Sequence, residues 1–188
     1  MQDSDLNLKI PMLNQIQNSR PRRGLGGHLK SQLEKIVVNS GIGRLSQLPN
    51  FEEKVLPELM KEFALITGQR PATRIARQSI AGFKIRAGQI VGLKADLRSK
   101  RMVDFFQKLV KVVLPRMRDF RGINLKSIDN RGNLNIGFRE QMVFPEISPE
   151  QSHHNYGLEV TIVPKQIKNR DKAIDFYREM NLPLQKNA

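Results

Sequence analysis

The chain has 188 residues, 39% of them hydrophobic, enough for one packed domain with a tail and too apolar for a wholly disordered basic protein. Its formal net charge of +14 and pI near 10.4 cost self-repulsion that a polyanion relieves, so nucleic acid is the first partner to consider. The absence of cysteine excludes disulfide scaffolds, thiolate zinc sites and cysteine nucleophiles, and no apolar run approaches the ~20 residues that cross a bilayer.

Residues 1–32 are polar and irregular and end in the glycine- and arginine-rich run Arg20–Gly27. They read as a flexible basic N-terminal extension that orders against a partner, with a plain disordered tail as the alternative. The start carries Asp3 and Asp5 and no apolar core, so neither a secretory signal nor an organellar presequence is expected. Residues 33–188 read as a single α+β domain.

Lys35–Asn39 is a short β-branched run closed by Ser40–Gly43, a buried strand and its turn. Phe51, Val55, Leu59, Phe63 and Ile66 recur at helical spacing up to Gly68, with Pro57 either kinking this helix or sitting in its first turn. Glu52, Glu53, Glu58 and Glu62 are expected on its exposed face. Ala72–Gln78 and Val91–Arg98 read as strands, and Ser99 is placed to cap a helix whose apolar face is Met102, Phe105, Phe106, Leu109, Val112 and Val113, ending at Pro115. Asn133–Phe138 and Leu158–Val163 alternate as strands four and five. Asn169 or Asp171 opens a last helix with Ile174, Tyr177 and Met180 inward, stopped by Pro183. The order predicts a twisted, largely antiparallel five-stranded sheet with helices packed on one face, a variant of the RRM-like or ferredoxin-like topology.

No catalytic constellation emerges. Gly41 and Gly43 match only the start of a dinucleotide fingerprint, since Ser46 stands where its third glycine would be. His153 and His154 are adjacent, with no cysteine or suitably spaced acid to complete a metal site, and with His28 they are the only histidines. No cofactor and no enzymatic activity are expected.

Charge is concentrated in the middle of the chain. Residues 70–101 carry nine Lys/Arg against one acid, Asp96. Within them the loop Ser79–Gly92 sets Lys84 and Arg86 beside Phe83, with Gly82, Gly88 and Gly92 supplying backbone freedom. Arg116–Gly122, which includes Arg118 and Arg121, and Asn130–Asn133, which includes Arg131, place guanidiniums beside glycines. Asn39 and Gln69 sit at element ends, where their amides reach a sugar or base edge or, alternatively, cap a turn. An RNA-facing side is thus expected from the first three strands and the segment around 116–139, reading phosphate and shape, because aromatic residues are few. A basic face on anionic lipid is the weaker reading, since the charges do not follow one amphipathic helix.

The blocks Leu33–Gly43, Ala64–Pro71, Ser79–Gly88, Leu114–Ile123 and Gly137–Ile147 follow in the order and rough spacing of bacterial-type large-subunit ribosomal protein five, the 5S-rRNA-binding family, which the chain resembles from Leu33 to Leu184. The resemblance implies a seat in the central protuberance of the large subunit, with 5S rRNA or other large-subunit rRNA as partner. It puts Asn39 and Gln69 at rRNA contacts, joined by the neighbouring cations Lys35, Arg70, Arg74, Arg77, Lys94 and Arg98. It implies that the loop, through Ser79, Gly82, Phe83, Lys84 and Arg86, reaches P-site tRNA. Arg118, Arg121, Asn130, Arg131 and Asn133 would then lie near a small-subunit head protein or rRNA, among neighbouring ribosomal proteins and away from any membrane. The chain departs from the family in carrying Asp96 where threonine is usual, in lacking a recognisable N-terminal helix, in lacking a proline near Ile90, and in Ser148–Tyr156. Such departures fit an organellar ribosome, mitochondrial or plastid, or a divergent bacterium. The rival reading is a free RNA-binding or RNA-chaperone module acting off the ribosome.

Overall fold

A computed structural model describes residues 29, 31–118, 120–150 and 152–185. The arginine- and glycine-rich run 20–27 and His28 lie outside the described residues.

Five strands and three main helices alternate along the chain: β1 (Leu33–Gly41), α1 (Leu56–Thr67), β2 (Ala72–Ile75), β3 (Ile90–Leu97), α2 (Ser99–Lys108), β4 (Leu134–Phe138), β5 (Leu158–Pro164) and α3 (Arg170–Glu179). The strands form one sheet in the order β2-β3-β1-β5-β4, and every neighbouring pair is antiparallel. This is the expected α+β architecture.

One face of the sheet is apolar. Ile36 and Val38 of β1, Leu93, Ala95 and Leu97 of β3, Val160 and Ile162 of β5, and Leu134, Ile136 and Phe138 of β4 are buried together with the inward residues of the helices. Leu29, upstream of β1, is buried in the same core. Alternation fails once, at the start of β1, where Leu33 pairs with Pro164 but Lys35 with Val163. Glu34 is therefore a bulge, which lets Leu33 and Ile36 both face the core although they are three residues apart.

Pro57 occupies the first turn of α1, and the helical path begins earlier, in a wide π-type turn over Phe51–Val55. Gly68 ends it in the left-handed conformation at φ +70°, its N–H bonded to the Ala64 carbonyl, as glycine does at a C-cap. Glu62 is not on the exposed face. It is buried one residue from Phe63, beside the buried Tyr156 hydroxyl, whose ionisation is pushed up by burial and by that carboxylate.

Ser99 does not cap α2. Arg98 takes the N-cap position without a side-chain bond, and Ser99 sits at φ +52°. The helix runs on through a π-type turn, Leu109–Val113, to Leu114–Arg116. That wider turn rotates Val112 outward to 37% exposure, off the face its spacing assigned it. On α3, Asn169 caps by accepting from the Asp171 N–H, and Ala173, Phe176 and Tyr177 turn inward while Ile174 is half-buried.

Candidate nucleic-acid interface

The basic strand residues emerge on the other face of the sheet, alternating with the apolar residues that meet the core. Asn39 is exposed on central β1, directly across from Lys94 on one side and Glu159 on the other. Lys94 also faces Ala72 of β2, and Arg74 faces Gly92. Gly92 is needed there: a Cβ would stand 3.2 Å from the Ser40 carbonyl oxygen and 3.5 Å from Arg74 Cβ. Lys35, half-buried, and Arg98, exposed, extend the same side toward the ends of β1 and β3. Asp96 lies on this face too and is paired with Lys94, Nζ to Oδ1 3.1 Å.

Gln69 is engaged within the fold. Its Nε2 donates to the Asp96 carbonyl at 3.3 Å and its Oε1 accepts from Arg101 Nη1 at 3.4 Å, tying the end of α1 to β3. Arg70, Arg74 and Arg77 follow it along edge strand β2, all exposed and without an ion-pair partner among the described residues.

Beyond β2 the chain forms a closed tip. β2 stops at Ile75, short of the expected Gln78, because Ala76 bonds Gln89 and Gly88 (φ +87°) returns its N–H to the Ala76 carbonyl. Ile80 and Ile85 pair across a short turn, Ala81–Phe83, and Lys84 adopts φ +53°. Ser79 Oγ accepts from the Ala87 N–H. The tip leans on the turn after β1: Gln47 Nε2 donates to the Phe83 carbonyl at 2.8 Å, and Gln89 Nε2 donates to Ser46 Oγ at 2.8 Å. Gln89 Oε1 accepts the Arg86 N–H. The loop is thus strapped at its neck and tip, with Ser79, Gly82, Lys84 and Arg86 exposed. Ile75 (61% exposed), Ile80 (48%) and Phe83 (69%) add apolar surface, half of the six large exposed hydrophobics among the described residues.

The third group lies elsewhere. Arg118 and Arg121 are exposed beside Gly122, which sits at φ +99° where a Cβ would stand 3.1 Å from the Pro183 carbonyl oxygen, and Ile123 next to it pairs in parallel with Leu184. Asn130 and Arg131 project from a turn organised by Asp129, which accepts from the N–H groups of Arg131 and Asn133 and from Asn133 Nδ2, each at 2.8 Å. Burial raises the Asp129 carboxyl, but those donors together outweigh it and hold it below its ordinary value. The Asn133 amide is therefore committed to the turn. The Asn130–Asn133 turn leads into β4, four strand spacings or roughly 19 Å from β2, so it lies at the opposite edge of the sheet from Arg74 and the tip.

Sequence reasoning missed Arg44, Gln47 and Gln89, which complete the tip. The available signal was that residues 35–51, like the loop, contain no acid. Among the described residues there is no cluster of three or more His or acidic side chains arranged to hold a metal, and no helix long and apolar enough to cross a membrane.

Comparison with known proteins covers nearly all of this structure. Residues 28–86 match the family described as ribosomal protein L5, and residues 90–184 match the C-terminal region of the same ribosomal family. Similar proteins include the large ribosomal subunit protein uL5 of Halothermothrix orenii, 45% identical over 81% of this chain and 82% of its own length. That of Mycoplasma pneumoniae is 44% identical over 82% and 83%, and uL5c of Guillardia theta is 42% identical over 85% and 86%.

Proposed function

The chain belongs to the ribosomal protein L5 family and is a structural protein of the large ribosomal subunit, and on that premise we propose how its surface divides the work. The open sheet face and edge strand β2 bind 5S rRNA, or the rRNA that stands in its place in the central protuberance. Asn39, Lys35, Arg74, Lys94 and Arg98 meet sugar and phosphate there, and Arg70 and Arg77 continue the track along the edge. Gln69 acts by holding β3 against α1, with its backbone neighbours nearest the RNA. The tip Ser79–Arg86 meets P-site tRNA, and the Arg118–Asn133 cluster meets the small-subunit head or adjacent rRNA, with Asn133 shaping the turn that presents Asn130 and Arg131. Residues 33–188 act as one RNA-binding domain, with Leu29 of the preceding segment packed into its core, and the rest of 1–32 acts as its extension.

The observation that carries this reading is the set of exposed cations on β2 and the tip. Arg70, Arg74, Arg77, Lys84 and Arg86 have no carboxylate partner among the described residues, leaving them free to neutralise phosphate. With about six to ten phosphates met, affinity for 5S rRNA falls by roughly 10³–10⁵ between 50 and 200 mM salt. A titration of 5S rRNA at several salt concentrations tests it, and an affinity indifferent to salt would overturn it. Sedimentation at physiological salt separates the rival: the chain travels with large subunits, whereas a free RNA chaperone stays in light fractions.

A further inference from the structure

We propose that the groove between the turn after β1 and the loop tip is a binding site for one unstacked nucleotide of RNA, its base lying on the Phe83 ring and its phosphate taken by Arg44 and Lys84. The inference rests on the reading above that this tip meets RNA, and it adds a second element and a defined ligand to that contact.

The groove has a volume of about 470 Å³ and runs between Gly43, Arg44 and Gln47 on one side and Gly82–Ile85 on the other. That lies within the ~300–1,000 Å³ typical of small-ligand clefts. None of its lining residues is acidic, and neither Arg44 nor Lys84 has an ion-pair partner among the described residues. Phe83 is 69% exposed, an aromatic side chain left in water in a groove that Arg44 and Lys84 also line. An aromatic platform flanked by phosphate-neutralising charges is the chemistry that holds an unpaired nucleotide.

The site is also preorganised. The Phe83 carbonyl is held by Gln47 Nε2, the Lys84 N–H returns to the Ala81 carbonyl, and Gln89 joins Arg86 to Ser46. Ordering a free loop costs binding free energy, and here the internal bonds have already removed that cost. An acidic peptide would satisfy Arg44 and Phe83 as well. The cations, however, continue beyond the groove through Arg77 and Arg74, which fits a continuous phosphate backbone better than a local carboxylate.

The test uses large subunits assembled with the full chain and loaded with deacylated tRNA, Phe83 being replaced by a photoreactive phenylalanine analogue. Crosslinking to one unpaired tRNA nucleotide is expected. In the same subunits Phe83→Leu weakens tRNA binding roughly 5- to 150-fold, the loss of one base–aromatic stack. Arg44→Gln lowers the salt slope by about one phosphate. A crosslink to an unpaired rRNA nucleotide upholds the groove and overturns the tRNA reading. A crosslink to protein, to paired nucleotides or to nothing overturns the groove. So do Phe83→Leu and Arg44→Gln variants within about twofold of wild type while Lys84→Gln with Arg86→Gln weakens binding, a result that leaves the loop reading intact.

Discussion

His153 Nδ1 lies 2.6 Å from Glu58 Oε1, fastening the connection between β4 and β5 to the outer side of α1. The hydrogen bond to Glu58, then its charge, raises the His153 pKa above the ordinary 6.5 against slight desolvation, with Glu62 adding to the rise. The hydrogen bond from His153 lowers Glu58 below its ordinary 4.5 against desolvation, and the charges of His153 and His154 contribute.

The pair therefore predicts a pH window. Stability from His153 is complete below 6.5 and fades as pH rises through its raised folded value. That from Glu58 is complete above 4.5 and fades as pH falls. The difference in melting temperature between wild type and His153→Gln is expected to peak near pH ~5.5 and close by pH ~9, where imidazole is neutral. A constant gap across that range would show that His153 acts through packing alone.

Asp96 is an exposed acid on the basic side of the open face, and it pairs with Lys94. Asp96→Thr frees that lysine and removes a repulsive carboxylate. Because an exposed pair contributes only about 0–1 kcal/mol, stability is expected to change little. Affinity for 5S rRNA should rise and the salt slope steepen by about 0.9, one added phosphate. An unchanged slope would mean that RNA does not reach β3.

Gln141 is fully buried and uses its whole amide: Nε2 donates to Ser152 Oγ and the His154 carbonyl, and Oε1 accepts the Tyr156 N–H. Gln141→Leu fills similar volume but orphans a buried N–H, at about 1–3 kcal/mol. Urea denaturation is expected to show that loss with an unchanged m-value. A neutral result would indicate that water replaces the amide.

Tyr177, buried on α3, sets its hydroxyl 2.8 Å from the Gly132 carbonyl and 3.1 Å from that of Ile162. Tyr177→Phe is expected to cost about 0.5–1.5 kcal/mol. Gly132→Ala should cost more, since φ is +83° and the new Cβ would stand 3.1 Å from Ala173 Cβ. Denaturation midpoints of the two variants rank them, and the reverse order would relocate the strain.

Periodicity carried most of the fold. The strands around Val38, Leu93, Ile136 and Val160 and the helix through Leu59 and Phe63 were legible because their apolar spacing answers to one buried face. The Glu34 bulge and the π-type turn that displaces Val112 were not, because each depends on a partner strand or on helix winding. The site divided in the same way. Exposed cations such as Arg74 and Lys84 follow from composition, whereas the commitment of the Gln69 and Asn133 amides depends on acceptors that only the folded chain supplies. Gln47 and Gln89 reach partners 36 and 43 residues away, and local pattern carries no trace of such contacts.

The position of β1 at the centre of the sheet sets an order of events in synthesis. Its two neighbours are β3 and β5, and β5 ends at Pro164. A nascent chain therefore holds one edge of its central strand unpaired until more than 110 further residues have emerged, a long-range closure of the kind that folds slowly and invites misassembly. For a protein whose early strand β2 and tip carry exposed cations, early capture of RNA by that segment would hold the unfinished sheet in place while its last strands arrive.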